Sequence, residues 1–146
     1  MDVINKFLDY KRKLSMNINR QKQIFIVDDD KQLLSLLRDI CEIEGWLVEV
    51  ASNITQAKKL LETYQADCFV IDLKLPDGDG NDLIKHLRTC HSAPILAISG
   101  AGQDGHSFTL AATSQLGADY HLGKPFEPDE LIIECRRLMN LAVSTV

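Results

Sequence analysis

Residues 24–30 read IFIVDDD, four apolar residues followed by three acids. Successive side chains of a strand point to opposite faces, so Ile24, Phe25, Ile26 and Val27 ask for burial on both sides. Strands of that kind belong to parallel sheets covered by helices on both faces. The three aspartates then stand at the carboxyl end of the strand, where open α/β sheets place their ligand sites.

The chain beyond this stretch repeats the pattern. Leu33, Leu34, Leu36, Leu37, Ile40 and Ile43 recur at helical spacing, and Gly45 closes that helix. Trp46–Ala51 reads as a second strand, with Ser52 as N-cap of a helix through Ala57, Leu60, Leu61 and Tyr64. Asp67–Leu73 is a third apolar strand, Pro76–Gly80 a loop by composition, and Leu83, Ile84 and Leu87 mark a third helix. Pro94–Ser99 is a fourth strand. Gly100, Gly102 and Gly105 loosen the next connection, and Phe108–Leu116 reads as a fourth helix stopped by Gly117. Tyr120–Gly123 is a fifth strand, and Leu131, Ile132, Cys135, Leu138, Met139 and Leu141 form one face of a last helix. Five β-α units imply an α/β protein with a doubly wound, five-stranded parallel sheet. After the last helix only two or three residues are expected to remain, so no output domain is expected within this chain.

The 146 residues, 45% hydrophobic and 25% charged, suit one domain able to bury its own core. No apolar run approaches the roughly 20 residues of a membrane helix, and the first residues lack a signal-peptide core, so a cytoplasmic protein without membrane insertion is expected. Cys41, Cys68, Cys90 and Cys135 form no CxxC pair and read as reduced thiols. The net charge of −5 is unevenly spread: Lys6, Lys11, Arg12, Lys13, Arg20 and Lys22 against Asp2 and Asp9 give residues 1–22 a balance of +4, leaving −9 for residues 23–146. An acidic body argues against direct DNA binding. Residues 1–22 form a basic extension in which Val3, Phe7, Tyr10 and Leu14 fall at the spacing of an amphipathic helix. Its apolar stripe has three open fates: packing on its own domain, on a second copy, or on nothing.

At the carboxyl edge of the expected sheet, Asp28, Asp29 and Asp30 end the first strand and Asp72 lies near the end of the third. Ser99 ends the fourth, and Lys124 follows the fifth. Crowded carboxylates raise one another's pKa, and a cation relieves them. Hard oxygen ligands suit Mg²⁺, which commonly also binds phosphate. A carboxylate can act as nucleophile and become an acyl phosphate, with Mg²⁺ and a lysine neutralising the phosphoryl oxygens and a hydroxyl donating to one of them. The edge therefore suits transfer of a phosphoryl group onto an aspartate.

Four motifs, IFIVDDD, CFVIDLKLPDGDG (68–80), ILAISG (95–100) and GADYHLGKPF (117–126), occur in order. Together they resemble the receiver domain of bacterial two-component response regulators, the family of the chemotaxis receiver, over about Gln23–Leu141. The resemblance implies a sheet in the order 2-1-3-4-5 with Asp72 as phosphoacceptor. It implies Mg²⁺ held by Asp29, Asp72 and the backbone carbonyl of Lys74, with Asp28 assisting through water. Ser99 and Lys124 are implied as the catalytic hydroxyl and ammonium, and a cis bond between Lys124 and Pro125 as the means of aiming the lysine. It further implies a histidine kinase or phosphotransfer protein as phosphodonor and a downstream protein target. The switching face would be built from the receiver's fourth helix, fifth strand and last helix, and a homodimer could form through that face or through the N-terminal segment.

Two departures stand out. The Ser99–Gly117 segment is about three residues longer than in the chemotaxis receiver, and His121 occupies the switch position where the family usually has an aromatic residue. Lys74 and Ala101 occupy the two places that tune dephosphorylation in the family. The expectation is a single-domain response regulator, a switch that catalyses only its own phosphorylation and dephosphorylation. The alternative is a pseudo-receiver scaffold, against which the complete acid, hydroxyl and lysine set argues. A flavin carrier would need a Ser/Thr-rich loop after the first strand, and a haloacid-dehalogenase-type phosphatase would need an acid where Lys74 stands. Among the remaining residues, Asp30 reads as a helix cap, Asp77 and Asp79 as turn residues rather than calcium ligands, and Trp46 as a strand or edge residue. His86, Cys90 and His91 lie close together on a helix but lack the further ligands a metal needs.

Overall fold

A computed structural model describes residues 2–100 and 117–141, of which residues 13–19 are described by their backbone alone. Helix α1 spans Val3–Asn19. The strands β1 (Gln23–Val27), β2 (Leu47–Ala51), β3 (Cys68–Asp72), β6 (Ile95–Gly100) and β7 (Tyr120–Lys124) alternate with α2 (Lys31–Ile43), α3 (Ile54–Leu60), α4 (Gly80–Cys90) and α5 (Pro128–Leu138). The two-residue strands β4 (Lys74–Leu75) and β5 (Gly78–Asp79) lie between β3 and α4. The main sheet is parallel in the order β2-β1-β3-β6-β7, the doubly wound arrangement expected once the small hairpin is set aside.

The apolar runs explain the layering. Phe25, Val27, Phe69, Ile71, Ile95 and Ala97 face one way and pack with Leu83, Ile84 and Leu87 of α4. Ile24, Ile26, Cys68, Val70, Leu96 and Ile98 face the other, against Leu34, Leu37 and Cys41 of α2 and Leu131, Ile132 and Cys135 of α5. Each fully buried Leu, Ile or Phe contributes roughly 1.5–3 kcal/mol of transfer free energy.

Several expectations shift in detail. Ser52 is not the cap of α3: Asn53 accepts from the Gln56 amide at 2.7 Å, while Ser52 bonds the Gln56 side chain. The helix also ends at Leu60 rather than Tyr64. Trp46 precedes β2 instead of belonging to it. Its ring is buried in the α2/α5 layer beneath the Arg136 guanidinium, which also pairs with Glu44. Residues 76–80, read as loop, instead supply the turn and second strand of a hairpin that pairs Lys74 with Asp79 and Leu75 with Gly78, and Gly80 opens α4. The last helix begins at Pro128, a residue pre-set for the first helical turn. The expected helix Phe108–Leu116 lies outside the described residues, as do Ala101, Gly102 and Gly105; Gly117 adopts φ +111°, a conformation that favours glycine.

Over residues 3–12, α1 leaves its side chains exposed, Val3, Phe7 and Tyr10 included. Just beyond it, Arg20 pairs with Asp67 at 2.7 Å and Gln21 donates to the Gly45 carbonyl. Cys41, Cys68 and Cys135 are buried free thiols and Cys90 an exposed one. Among the described residues no helix is long and apolar enough to cross a membrane.

Candidate functional site

β1 and β3 are neighbours, with Val27 opposite Ile71, so the residues that follow, Asp28 and Asp72, come to the same edge. β6 pairs with β3 on its other side and β7 with β6, bringing Ser99 and Lys124 to that edge. Asp28 and Asp72 are buried and Asp29 is exposed, and one carboxylate oxygen from each lies within 4.8 Å of the others. Lys124 is the last residue of β7 rather than following it, and it reaches into the cluster: its Nζ stands 2.8 Å from Asp28 Oδ2 and 3.2 Å from Asp72 Oδ2. The Lys124–Pro125 peptide bond is cis, as the resemblance implied.

The remaining carboxylate oxygens are held locally. Asp28 Oδ1 accepts from the Asp30 amide at 2.9 Å, and Asp72 Oδ1 from the Lys74 amide at 3.2 Å. Asp30 caps α2 by accepting from the amides of Gln32 and Leu33, and it plays no part in the cluster. Burial, then the neighbouring Asp28, raise the Asp72 pKa to about 6, against the opposing pull of Lys124. Burial works against the Lys124 ammonium, but the two carboxylates outweigh it and keep its pKa above the ordinary lysine value.

A cation fits this donor set. Asp28 Oδ2 is fully buried and meets Lys124 without the alignment of a hydrogen bond, so a lone pair remains to be engaged. Three hard carboxylate oxygens in so small a space suit Mg²⁺ better than a soft metal. The cleft over them is lined by Asp29, Asp72, Lys74, Leu75, Pro76, Gly100 and Lys124. Ser99 is buried, and its hydroxyl lies 2.6 Å from His121 Nε2.

Three residues to which the sequence reading gave no such role support the fold at and around the site. Gly80 is one, because a Cβ there would overlap the Asp72 carbonyl oxygen and stand 2.7 Å from Leu73 Cα. Asp77 is a second. It is a turn residue, as expected, but its carboxylate also accepts from the Ile54 and Thr55 amides and from Thr55 Oγ1, tying the β4–β5 hairpin to the start of α3. Arg88 is the third, and it donates to the carbonyls of Ala93 and Gly117 and pairs with Asp119. The Asp79-Gly80 pair before a helix signals Gly80 only weakly, and nothing in the sequence signals the long-range partners of Asp77 or Arg88. Asp79 caps α4. His86, Cys90 and His91 join no metal-like cluster among the described residues, and His91 packs edge-on against Phe69.

Residues 24–136 match the family model of the response regulator receiver domain. The chain belongs to that family. It is 35% identical over 118 residues to "Transcriptional regulatory protein CpxR" of Escherichia coli (strain K12), covering 81% of this chain and 49% of the relative. The chain thus spans about half the length of the curated relatives it matches. Among solved structures it resembles the Francisella response regulator 1452 receiver domain, with a TM-score of 0.74 and 30% identity, covering 82% of this chain and 98% of that one. A CheY-like response regulator receiver domain protein from Methanospirillum hungatei JF-1 gives a TM-score of 0.75 at 27% identity, covering 83% and 95%. Receiver domains are the phosphorylatable switches of two-component signalling, bind Mg²⁺ at an acidic pocket and work with histidine kinases or phosphotransfer proteins.

Proposed function

We propose that this receiver domain accepts a phosphoryl group onto Asp72 from a phosphohistidine on a histidine kinase or phosphotransfer protein. A carboxylate oxygen of Asp72 bonds to phosphorus as the phosphorus–nitrogen bond breaks and the donor imidazole departs with the electron pair. The observation that carries this reading is Lys124 bridging two buried carboxylates at 2.8 and 3.2 Å. Its ammonium is already where an acyl phosphate on Asp72 would place negative charge. Asp28, Asp29, Asp72 and the Lys74 carbonyl would hold Mg²⁺, which supplies further neutralisation of the phosphoryl oxygens. Ser99 supplies the hydroxyl donor.

The output is a change in the face that carries β7 and α5, where His121 lies, read by a downstream protein or by a second copy of the chain. Residues 1–22 lie outside the 24–136 match, and we assign them to association rather than to phosphoryl chemistry. Lys74 and Ala101 are assigned to setting the lifetime of the phosphoryl group.

The test is intact-protein mass spectrometry after incubation with Mg²⁺ and acetyl phosphate. One phosphoryl adduct on the wild type and none on Asp72→Asn is expected. An adduct retained on Asp72→Asn, or none on the wild type, refutes the reading.

A further inference from the structure

Ser99 is opposite Gly123 in the β6–β7 ladder, and His121 is opposite Ala97. Gly123 therefore places no side chain beside Ser99, and the imidazole of His121 reaches along the ladder to bring Nε2 within 2.6 Å of the Ser99 hydroxyl. Both groups sit out of bulk water, Ser99 buried and His121 half-buried. A serine hydroxyl has a single proton to give. It cannot donate that proton to an imidazole nitrogen and to a phosphoryl oxygen at once.

We propose that His121 is a positioning residue whose proton state is linked to the load on Asp72: at rest Ser99 O–H donates to Nε2, and on loading the hydroxyl donates to the phosphoryl group while Nε2, having taken a proton from water, donates to Ser99 Oγ. The inference rests on the phosphoacceptor reading of Asp72 and adds a proton to that reaction. The proton balance is simple: the loaded form holds one more proton on the imidazole, drawn from solvent. A donor at Nε2 also polarises the hydroxyl toward the phosphoryl oxygen, and the added negative charge nearby favours the imidazolium.

Among the described residues, the charged groups nearest His121 are already paired elsewhere. On its own strand, Lys124 is occupied with Asp28 and Asp72, and Asp119, just before the strand, is paired with Arg88 of α4. On β6 the group facing it is the uncharged Ser99. Burial pushes its pKa below the ordinary histidine value, which favours the uncharged imidazole at rest. Taken alone, this linkage favours the loaded form in mild acid, opposing the loss of Mg²⁺ affinity as Asp72 takes up its own proton.

The experiment is NMR titration of the His121 ring in the full chain, with Mg²⁺ and with or without beryllofluoride as phosphoryl mimic. The resting protein is expected to show an unprotonated Nε2. The complex is expected to show a protonated Nε2 and a His121 pKa about one unit or more above the resting value, exceeding the ordinary value of about 6.5. Ser99→Ala, which loses one donor to the mimic and is therefore measured at saturating beryllofluoride, should lose most of that shift. If the mimic binds and the His121 pKa stays put, the inference is overturned. A rise that stops at the ordinary value with both ring tautomers present also overturns it, because the ring has then simply left for solvent. If the mimic does not bind at all, the phosphoacceptor reading fails first and this inference falls with it.

Discussion

Lys124 Nζ stands 3.2 Å from Asp72 Oδ2, and that contact offsets only part of the cost of keeping Asp72 charged. Burial and Asp28 still hold its pKa near 6. Asp72→Asn removes a charge that the metal-free fold disfavours at neutral pH. The variant is expected to melt several degrees above wild type in EDTA, and the gap should narrow in millimolar Mg²⁺, which stabilises only the protein that can bind it. Thermal melts with and without Mg²⁺ check this, and a variant less stable than wild type in EDTA would contradict it.

The same raised pKa sets a pH dependence. The folded protein binds more protons at Asp72 than the unfolded chain between about pH 4 and 6, so this group lowers stability as pH rises through that window. Mg²⁺ needs the carboxylate, so its affinity runs the other way. Calorimetric titration at pH 7.5 and pH 5.5 is expected to show at least a several-fold weaker Mg²⁺ affinity at the lower pH.

Gly80→Ala places a Cβ against the Asp72 and Leu73 backbone, where no flexible side chain can give way. A loss of about 1–3 kcal/mol in denaturant unfolding is expected. Because the displaced backbone is that of Asp72 itself, phosphoryl uptake from acetyl phosphate should slow as well.

Arg88 acts far from the cluster. Arg88→Ala leaves the Ala93 and Gly117 carbonyls and Asp119 without their guanidinium donor and is expected to cost about 2 kcal/mol. Uptake rates for the folded fraction should match wild type. A large fall in uptake with unchanged stability would place Arg88 in the site instead.

The lifetime of the acyl phosphate offers a separate check. Lys74 lines the cleft, and a charged lysine cannot serve as a base toward water. Lys74→Asn and Ala101→Glu are both expected to speed phosphate release, measured by the decay of the mass-spectrometric adduct. If both slow it, the lifetime assignment is wrong.

The sheet was legible because runs such as Ile24–Val27 and Cys68–Ile71 leave no exposed face, and that reading also put Asp28, Asp29, Asp72, Ser99 and Lys124 at one edge. Asp30 was legible as a cap because capping is a local act. Ser99 and His121 both showed in the sequence but the bond between them did not, since it depends on register across two strands. Trp46 looked like a strand residue because it adjoins one; its burial under Arg136 comes from a helix ninety residues away. Ser52 and Asn53 are both good capping residues, and only the backbone turn decides which side chain reaches the Gln56 amide.

Asp77 is fully open to solvent, yet it ties two pieces of chain together. Backbone amides at the start of α3 hold its pKa below the usual carboxylate range, so the tie persists at neutral pH and is lost only as pH falls below that range. The Lys74–Pro76 wall of the cleft belongs to this stitched hairpin, whereas the facing wall ends in the exposed Gly100. The hairpin wall is thus braced from two sides, by β3 before it and by α3 through Asp77. A group held over Asp72 would lean on a wall anchored at a helix start that belongs to neither strand of the site.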